Sequence, residues 1–191
     1  MWYNKAYRRH LCDMHIEDWD DRFLSEFSPE EYVENLKIAN IQNAMVYTQS
    51  HAGHCYYPTK TGHMHGAFAG KEDMMRKVFD LCHENNIKVT SYYSLIYNTW
   101  AHDVHEDWRM LTSDKISRRG GGSAEGQNLS FTAKDRRYGL CCLNNPEYNE
   151  FVLRQIDEIL EYFDSDAMFF DMPFWPHTCC GFDYVAVYQA G

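Results

Sequence analysis

The alternation of strand-like and helix-like segments is the feature that most limits the folds open to this chain. Short apolar runs that stop at polar residues, as buried strands do, lie at 10–15, 43–48, 87–95 and 167–171. Amphipathic segments with helical spacing separate them, at 28–40, 71–86 and 145–163. Strands joined through helices pair in parallel by right-handed crossovers. The sequence therefore predicts an α/β fold with a parallel sheet.

Capping residues predict where two of the helices begin. Ser28 is expected to cap the first helix, because Pro29 follows at the first helical position and Glu31 stands at the capping-box position. Asn145 and Pro146 predict the start of the last helix.

Polar residues follow the predicted strands at one end, which predicts where reactive groups lie. In (β/α)8 barrels of the TIM type, the loops after the strands carry the catalytic side chains. We expect Asp13, Tyr47, Ser94 and Asp171 near one end of the sheet. Residues 1–191 then form a single unit, the first four βα units of such a barrel. A full barrel takes about 250 residues and a half barrel has open edges, so we expect a fragment of a longer domain or a chain that dimerises.

The segment 97–145 shows no pattern typical of a regular element. Loops this long inside a compact domain are usually functional or mobile. Its middle, 118–126, is rich in glycine, and Arg136 and Arg137 follow. We therefore expect a functional loop that carries two cations.

Composition and charge exclude several classes of function. The formal charge is −10, from 28 acidic against 18 basic residues, which argues against nucleic acid as a partner because phosphate binding needs basic patches. No apolar run of about 18 residues is present, so no membrane-spanning helix is expected. Aromatic residues make up 16% of the chain, and exposed aromatic side chains often line sites for ring-shaped ligands.

Cysteine use and the N-terminus predict the compartment. Residues 1–5 lack the apolar stretch of a signal peptide. The seven cysteines are odd in number and include no Cys-x-x-Cys pair, which favours reduced thiols. We expect a cytoplasmic protein. Because a half barrel has unpaired sheet edges, a homo-oligomer is a further possibility.

The stretch 166–176 points most directly to chemistry. Its apolar run ends at Asp171, and Phe174 and Trp175 follow. A carboxylate at a strand end beside aromatic residues suits catalysis on a sugar, whose rings stack on aromatic faces. The alternative is a strand-ending aspartate that caps the next turn.

Three segments carry a family resemblance. Residues 49–58 read Gln-Ser-His-Ala-Gly-His-Cys-Tyr-Tyr-Pro, and 91–95 read Ser-Tyr-Tyr-Ser-Leu with Trp100 downstream. Residues 169–172 read Phe-Phe-Asp-Met. Over residues 10–176 the chain resembles the N-terminal half of the α-L-fucosidase superfamily of retaining glycoside hydrolases, and it is similar to a branch labelled hypothetical glycosyl hydrolase.

Two positions depart from the family's motifs. Ser50 stands where the family has the first of two histidines, and Met172 stands where it has a glycine. These departures bear on which sugar is bound more than on the type of reaction.

The resemblance implies a retaining glycoside hydrolase that removes a terminal sugar from oligosaccharides or glycoconjugates. Asp171 matches the family's nucleophile, and the family's acid/base lies in the second half of its barrel, beyond Gly191. The residues expected to contact the sugar are His15, His51, Tyr93, Trp100, Arg137 and Trp175. Arg136 or Arg137 would also keep Asp171 ionised. No cofactor is expected, because retaining cleavage uses two carboxyl groups about 5 Å apart.

Two other classes of function stay open. The first is a metal-dependent hydrolase on a barrel, suggested by the pairs His51-x-x-His54, His63-x-His65 and His102-x-x-His105. Against it, two of these pairs fall in loops, and no metal ligand is assigned. The second is a non-catalytic carbohydrate-binding or relict fragment, which a missing acid/base would favour. The local acids that could replace it are Asp13, Glu17, Asp103 and Glu106.

Overall fold

The computed structural model describes residues 1–20, 22–110, 119–120 and 138–173. Its centre is a four-stranded parallel sheet of β1 (Arg9–Leu11), β2 (Asn43–Tyr47), β5 (Lys88–Ser94) and β8 (Ala167–Asp171). The strands lie in the order β1-β2-β5-β8. The predicted parallel α/β sheet is confirmed, although β1 is shorter than expected. The closed (β/α)8 barrel stays a prediction.

Three helices fall where the sequence predicts them. They are α1 (Pro29–Ile38), α2 (Met74–Glu84) and α4 (Pro146–Tyr162). The Ser28 hydroxyl accepts a hydrogen bond from the Glu31 backbone N–H at 3.2 Å, so the predicted cap is confirmed. The Asn145 side chain accepts from two N–H groups of the first turn of α4. Capping satisfies backbone donors that a helix start leaves without partners.

The segment 97–145 contains more regular structure than expected. A short helix, α3 (Thr99–Val104), follows β5, and β7 (Tyr138–Gly139) pairs antiparallel with β6 (Arg119–Gly120). The sequence pattern missed α3 because six residues make fewer than two turns, too few to show helical periodicity. Two further short strands, β3 (His54–Cys55) and β4 (His63–Met64), pair in parallel within the β2–α2 connection.

The core lies between the sheet and the helices. Buried apolar side chains of α1 and α2 include Val33, Leu36, Val78 and Phe79. On the α4 side, Tyr93 of β5 donates its hydroxyl to the side-chain amide oxygen of Gln155 at 2.7 Å. This side of β5 therefore faces the helices, and the side chains of Thr90, Tyr92 and Ser94 alternate to the opposite face.

Asp166 anchors the start of β8 to the neighbouring strand and helix. It accepts hydrogen bonds from the Lys88 ammonium at 2.6 Å, the Val89 backbone N–H at 2.9 Å and His83 at 2.8 Å. Burial raises the pKa of this carboxyl, but the three hydrogen bonds together outweigh burial and hold the pKa below its ordinary value. The strand that carries Asp171 is thus fixed at its beginning.

The cysteines in the described part of the chain form no disulfide bonds. Cys12, Cys55, Cys82, Cys141 and Cys142 are free cysteines. Burial raises the pKa of the Cys55 and Cys82 thiols to about 12, so both stay protonated.

Among the described helices, none is long and apolar enough to cross a lipid bilayer.

Candidate active site

Asp171 ends β8 with its carboxylate about one quarter exposed, the side chain having 26% of its surface accessible. One carboxylate oxygen accepts the hydroxyl of Tyr92, and the other accepts the backbone N–H of Met172 at 2.9 Å. Met172 has a φ of 55°, in the left-handed region that favours glycine. The position where the family motif has glycine thus keeps the backbone shape of a glycine.

Two stacked tyrosines connect Asp171 with Asp13. The rings of Tyr47 and Tyr92 stack with centroids 3.8 Å apart, and Tyr47 donates its hydroxyl to Asp13 at 3.0 Å. Burial, above all other causes, raises the pKa of both phenols. Each tyrosine therefore stays protonated and acts as a hydrogen-bond donor to a carboxylate.

His15 and His51 form a stacked pair beside these groups. Their ring centroids are 4.2 Å apart, with 23° between the planes. His15 Nε2 lies 3.0 Å from the Tyr47 hydroxyl, and His15 Nδ1 lies 3.2 Å from Asp13. His51 is buried, and its Nε2 lies 3.7 Å from Asp171 Oδ2. The structure thus brings together three of the residues that the sequence predicts.

A hydrogen-bond chain fixes the orientation of His51. The Ser94 hydroxyl donates to the Tyr97 carbonyl oxygen at 2.9 Å, so it has no second proton to give. His51 Nδ1, 2.6 Å from Ser94 Oγ, must therefore donate to Ser94. Nδ1 therefore carries a proton, and Nε2 of the ring lies on the side of Asp171.

Tyr138 closes one side of this cluster and was missed by sequence reasoning. Its ring meets His51 edge to face at 4.9 Å and stacks on Tyr97 at 5.5 Å, and its hydroxyl lies 3.2 Å from His15 Nδ1. Gly139 permits this position, because a Cβ there would lie 2.3 Å from the Cβ of His102. In the sequence, the neighbouring pair of Tyr138 and Gly139 is the one local feature that could have indicated this contact.

Two of the predicted sugar contacts lie elsewhere. Tyr93 is fully buried against α4, and its strand neighbour Tyr92 takes the position expected for it. The Trp100 ring stacks on His63 at 5.9 Å and on Phe151 at 6.1 Å. These contacts give Trp100 a packing role. Arg137 and Trp175, like Arg136, lie outside the described residues.

The acids that could replace the missing acid/base also lie in different parts of the structure. Asp13 contacts His15 and Tyr47 within the cluster. Asp103 pairs with His102 at 2.8 Å, and Glu106 pairs with Arg109 at 3.3 Å, both as near neighbours in the chain. Of these three acids, Asp13 is the one that the fold brings to the cluster. A second group of side chains, Asp18, His54 and His63, has the spacing of a metal site.

Comparison with known families gives one match over most of the chain. The family model described as hypothetical glycosyl hydrolase 6 matches residues 28–172. This range contains His51, Tyr92, Tyr138 and Asp171, and it ends directly after the Asp171 carboxylate. No curated protein sequence matches the chain.

Solved structures of fucosidases share the fold. α-L-Fucosidase isoenzyme 2 from Paenibacillus thiaminolyticus superposes with a TM-score of 0.73 at 24% identity, covering 87% of this chain and 23% of that one. Isoenzyme 1 from the same organism has a TM-score of 0.52 at 21% identity, covering 78% and 31%. A hypothetical protein from Ruminiclostridium thermocellum has a TM-score of 0.55 at 16% identity, covering 78% and 71%. The chain thus spans less than a third of the length of these two fucosidases.

Proposed function

This chain belongs to the hypothetical glycosyl hydrolase 6 family, and from that premise we propose that it is a retaining glycoside hydrolase of the fucosidase type. One observation carries the proposal. Asp171, at the carboxyl end of a parallel strand, is held by two hydrogen bonds and lies 3.7 Å from a buried histidine. Reactive groups of parallel α/β folds lie at this end of the strands. The fucosidase fold shared with the solved structures supports the choice of sugar.

In the proposed reaction Asp171 is the nucleophile. Its carboxylate oxygen forms a bond to the anomeric carbon of the sugar while the glycosidic C–O bond breaks, and the leaving oxygen takes a proton from a general acid. Water then gives a proton to the conjugate base and its hydroxide to the anomeric carbon, which releases Asp171. Tyr92 and the Met172 N–H hold the carboxylate in a single orientation for this attack.

The histidines and Tyr138 would bind the sugar. His51 Nε2 lies beside Asp171 and would form a hydrogen bond with a sugar hydroxyl, while Ser94 holds the ring through Nδ1. The buried Tyr138 ring meets His51 at right angles and closes the aromatic side of the cluster, and a sugar presents both hydroxyl groups and an apolar C–H face. The arrangement suits a small monosaccharide unit, held by hydrogen bonds on one side and by an aromatic ring on the other.

We assign the general acid/base to a part of the protein outside residues 1–191, as the family resemblance implies. The chain corresponds to 23% of one fucosidase and 31% of another, so most of such an enzyme has no counterpart here. Asp13 is the local alternative, because it lies in the same cluster as Asp171. The 191-residue chain by itself is then expected to bind a sugar weakly and to turn over slowly or not at all.

The test uses the complete natural protein with aryl α-L-fucoside and β-galactoside substrates. Asp171→Gly should abolish most of the hydrolysis, and azide should restore part of it, because a small anion can enter the space left by the carboxylate. Asp164→Gly is the matched control, since Asp164 is 92% exposed in the loop before β8 and should leave activity intact. Full activity of Asp171→Gly would overturn the assignment. Cleavage of neither substrate by the intact protein would remove the fucosidase reading.

A further inference from the structure

The geometry points to a binding site for a divalent transition metal, of the kind that takes zinc, formed by Asp18, His54 and His63. Each of these residues offers one ligand atom, and the three atoms lie within 4.8 Å of one another. Two imidazoles and one carboxylate are a donor set found in zinc proteins. Magnesium and calcium prefer oxygen donors throughout, so imidazole nitrogens favour zinc or a related metal.

The backbone sets the two histidines side by side. His54 of β3 and His63 of β4 are direct partners in a parallel strand pair. Partners in register project their side chains from the same face of a sheet, and here the ring centroids are 5.3 Å apart. Trp100 stacks on the outer face of His63, which limits how far that ring can turn. The strand pairing thus directs both rings to the same side of the pair.

Asp18 is oriented towards the histidines by its own contacts. One carboxylate oxygen accepts the Gly66 backbone N–H at 3.0 Å, and the other lies 3.4 Å from His63 Nε2. His65 lies beside the first oxygen but has both ring nitrogens in use, Nε2 with the Glu17 carbonyl oxygen and Nδ1 with the Ala67 N–H. His65 is therefore no candidate ligand.

His54 supplies an independent observation. Its Nδ1 is buried and has no hydrogen-bond partner among the residues that the structure describes. Buried polar atoms without partners are rare in folded proteins and call for an explanation.

Three protein ligands leave one position of a tetrahedral ion for water. Zinc-to-nitrogen distances are about 2.0–2.1 Å, so the ligand atoms must draw together by roughly an ångström or more. The half-exposed His63 and the loop residue Asp18 have room for this movement, with side chains 48% and 21% exposed.

The site lies where an ion would fix the sugar-binding histidines. Asp18 stands three residues after His15, and His54 stands three residues after His51. An ion shared by Asp18 and His54 would join the two loops that hold the stacked pair in place. This role rests on the proposed function, whereas the site itself does not.

The test measures zinc binding to untagged, metal-free natural protein by calorimetry, with competition by a chromophoric chelator. We expect one zinc ion per chain and a rise in Tm on binding. Asp18→Asn and His63→Ala should each weaken zinc binding at least ~10-fold, because loss of a group that only hydrogen-bonds to a metal ligand already lowers metal affinity by that factor. His10→Ala is the control, because this exposed histidine of β1 lies outside the cluster. Absence of stoichiometric zinc, or wild-type affinity in both variants, would overturn the site.

Failure of this proposal is distinguishable from failure of the proposed function. Zinc affinity is measured without substrate, so it is unaffected by the outcome of the Asp171→Gly experiment. Circular dichroism of His63→Ala shows whether the variant is folded, and Asp18→Asn keeps side-chain size while removing charge. Unchanged zinc affinity in a folded Asp18→Asn and a folded His63→Ala would reject the site whatever the enzyme does.

Discussion

Tyr92 reaches across the sheet to Asp171, although it is not the register partner of Asp171. In the β5–β8 pair, Ser94 lies opposite Asp171, and Tyr92 lies opposite Phe169. The tyrosine therefore donates along a diagonal, over two residues of the neighbouring strand. The carboxylate and its donor belong to different strands, so the relative position of β5 and β8 determines the geometry of the proposed nucleophile.

Replacement of Tyr92 by phenylalanine tests this hydrogen bond. A hydrogen bond to a charged group contributes about 1.5–3 kcal/mol, so Tyr92→Phe should lower kcat/KM by roughly 10- to 100-fold. Tyr93→Phe is the matched control, because Tyr93 lies next in the strand but bonds Gln155 on the other face. Steady-state kinetics should show a lower kcat/KM for Tyr92→Phe alone. Thermal unfolding should show a lower Tm for Tyr93→Phe, which loses its hydrogen bond to Gln155. Equal activity in both variants would contradict the diagonal contact.

Met172 allows a test of backbone strain at the site. Its φ of 55° favours glycine, so Met172→Gly should be more stable than Met172→Ala by about 1 kcal/mol. At the exposed helical position Arg154 the order should reverse, with alanine better by about 1 kcal/mol. Chemical denaturation of the four variants gives both differences. Alanine better than glycine at both positions would remove the strain argument.

Asp166 predicts a pH dependence of stability. Its folded pKa is lowered, so the carboxylate stabilises the fold fully above the unfolded pKa of about 3.9, and this contribution is lost as pH falls through the folded value. Asp166→Asn should therefore lower the free energy of unfolding at neutral pH by about 1–3 kcal/mol. As pH falls below the unfolded pKa and through the lower folded pKa, the difference from wild type should shrink.

Denaturation curves between pH 2 and 7 measure this effect. Asp164→Asn serves as the control, because Asp164 is 92% exposed and should change stability little. A constant difference between Asp166→Asn and wild type over this range would show that ionisation of Asp166 is not the cause.

Gly139 predicts a link between packing and sugar binding. A methyl group at this position would press on His102, and overpacking of this kind costs about 1–3 kcal/mol. Because Tyr138 is the preceding residue, Gly139→Ala should also weaken binding of a monosaccharide ligand. Gly70→Ala is the comparison, since its φ of 74° strains alanine while no atom lies within 4 Å of the new Cβ. That variant should lose stability and keep its sugar affinity, as calorimetry would show.

The sequence predicted the parts of the structure that depend on local pattern. The positions of the four sheet strands, the Ser28 cap and the polar strand ends follow from residues close in the chain, and they placed His15, His51 and Asp171 together. It did not predict the face of Tyr92, because β5 is buried on both faces from Val89 onward and apolar alternation is lost. Nor did it predict Tyr138, which meets His15 across 123 residues of chain.

The alternation of Tyr92 and Tyr93 has a consequence for how this protein can change in evolution. A single inserted or deleted residue within β5 would exchange the faces of the two tyrosines, taking one from Asp171 and the other from Gln155. Such events would remove a buried hydrogen bond of the core and the hydrogen bond to the proposed nucleophile at once. Insertions and deletions among homologues should therefore avoid β5. Lineages can instead vary the connections after Tyr47 and after Ser94, which carry His51 and Tyr138. Sugar preference would then diverge while the position of the carboxylate is inherited unchanged.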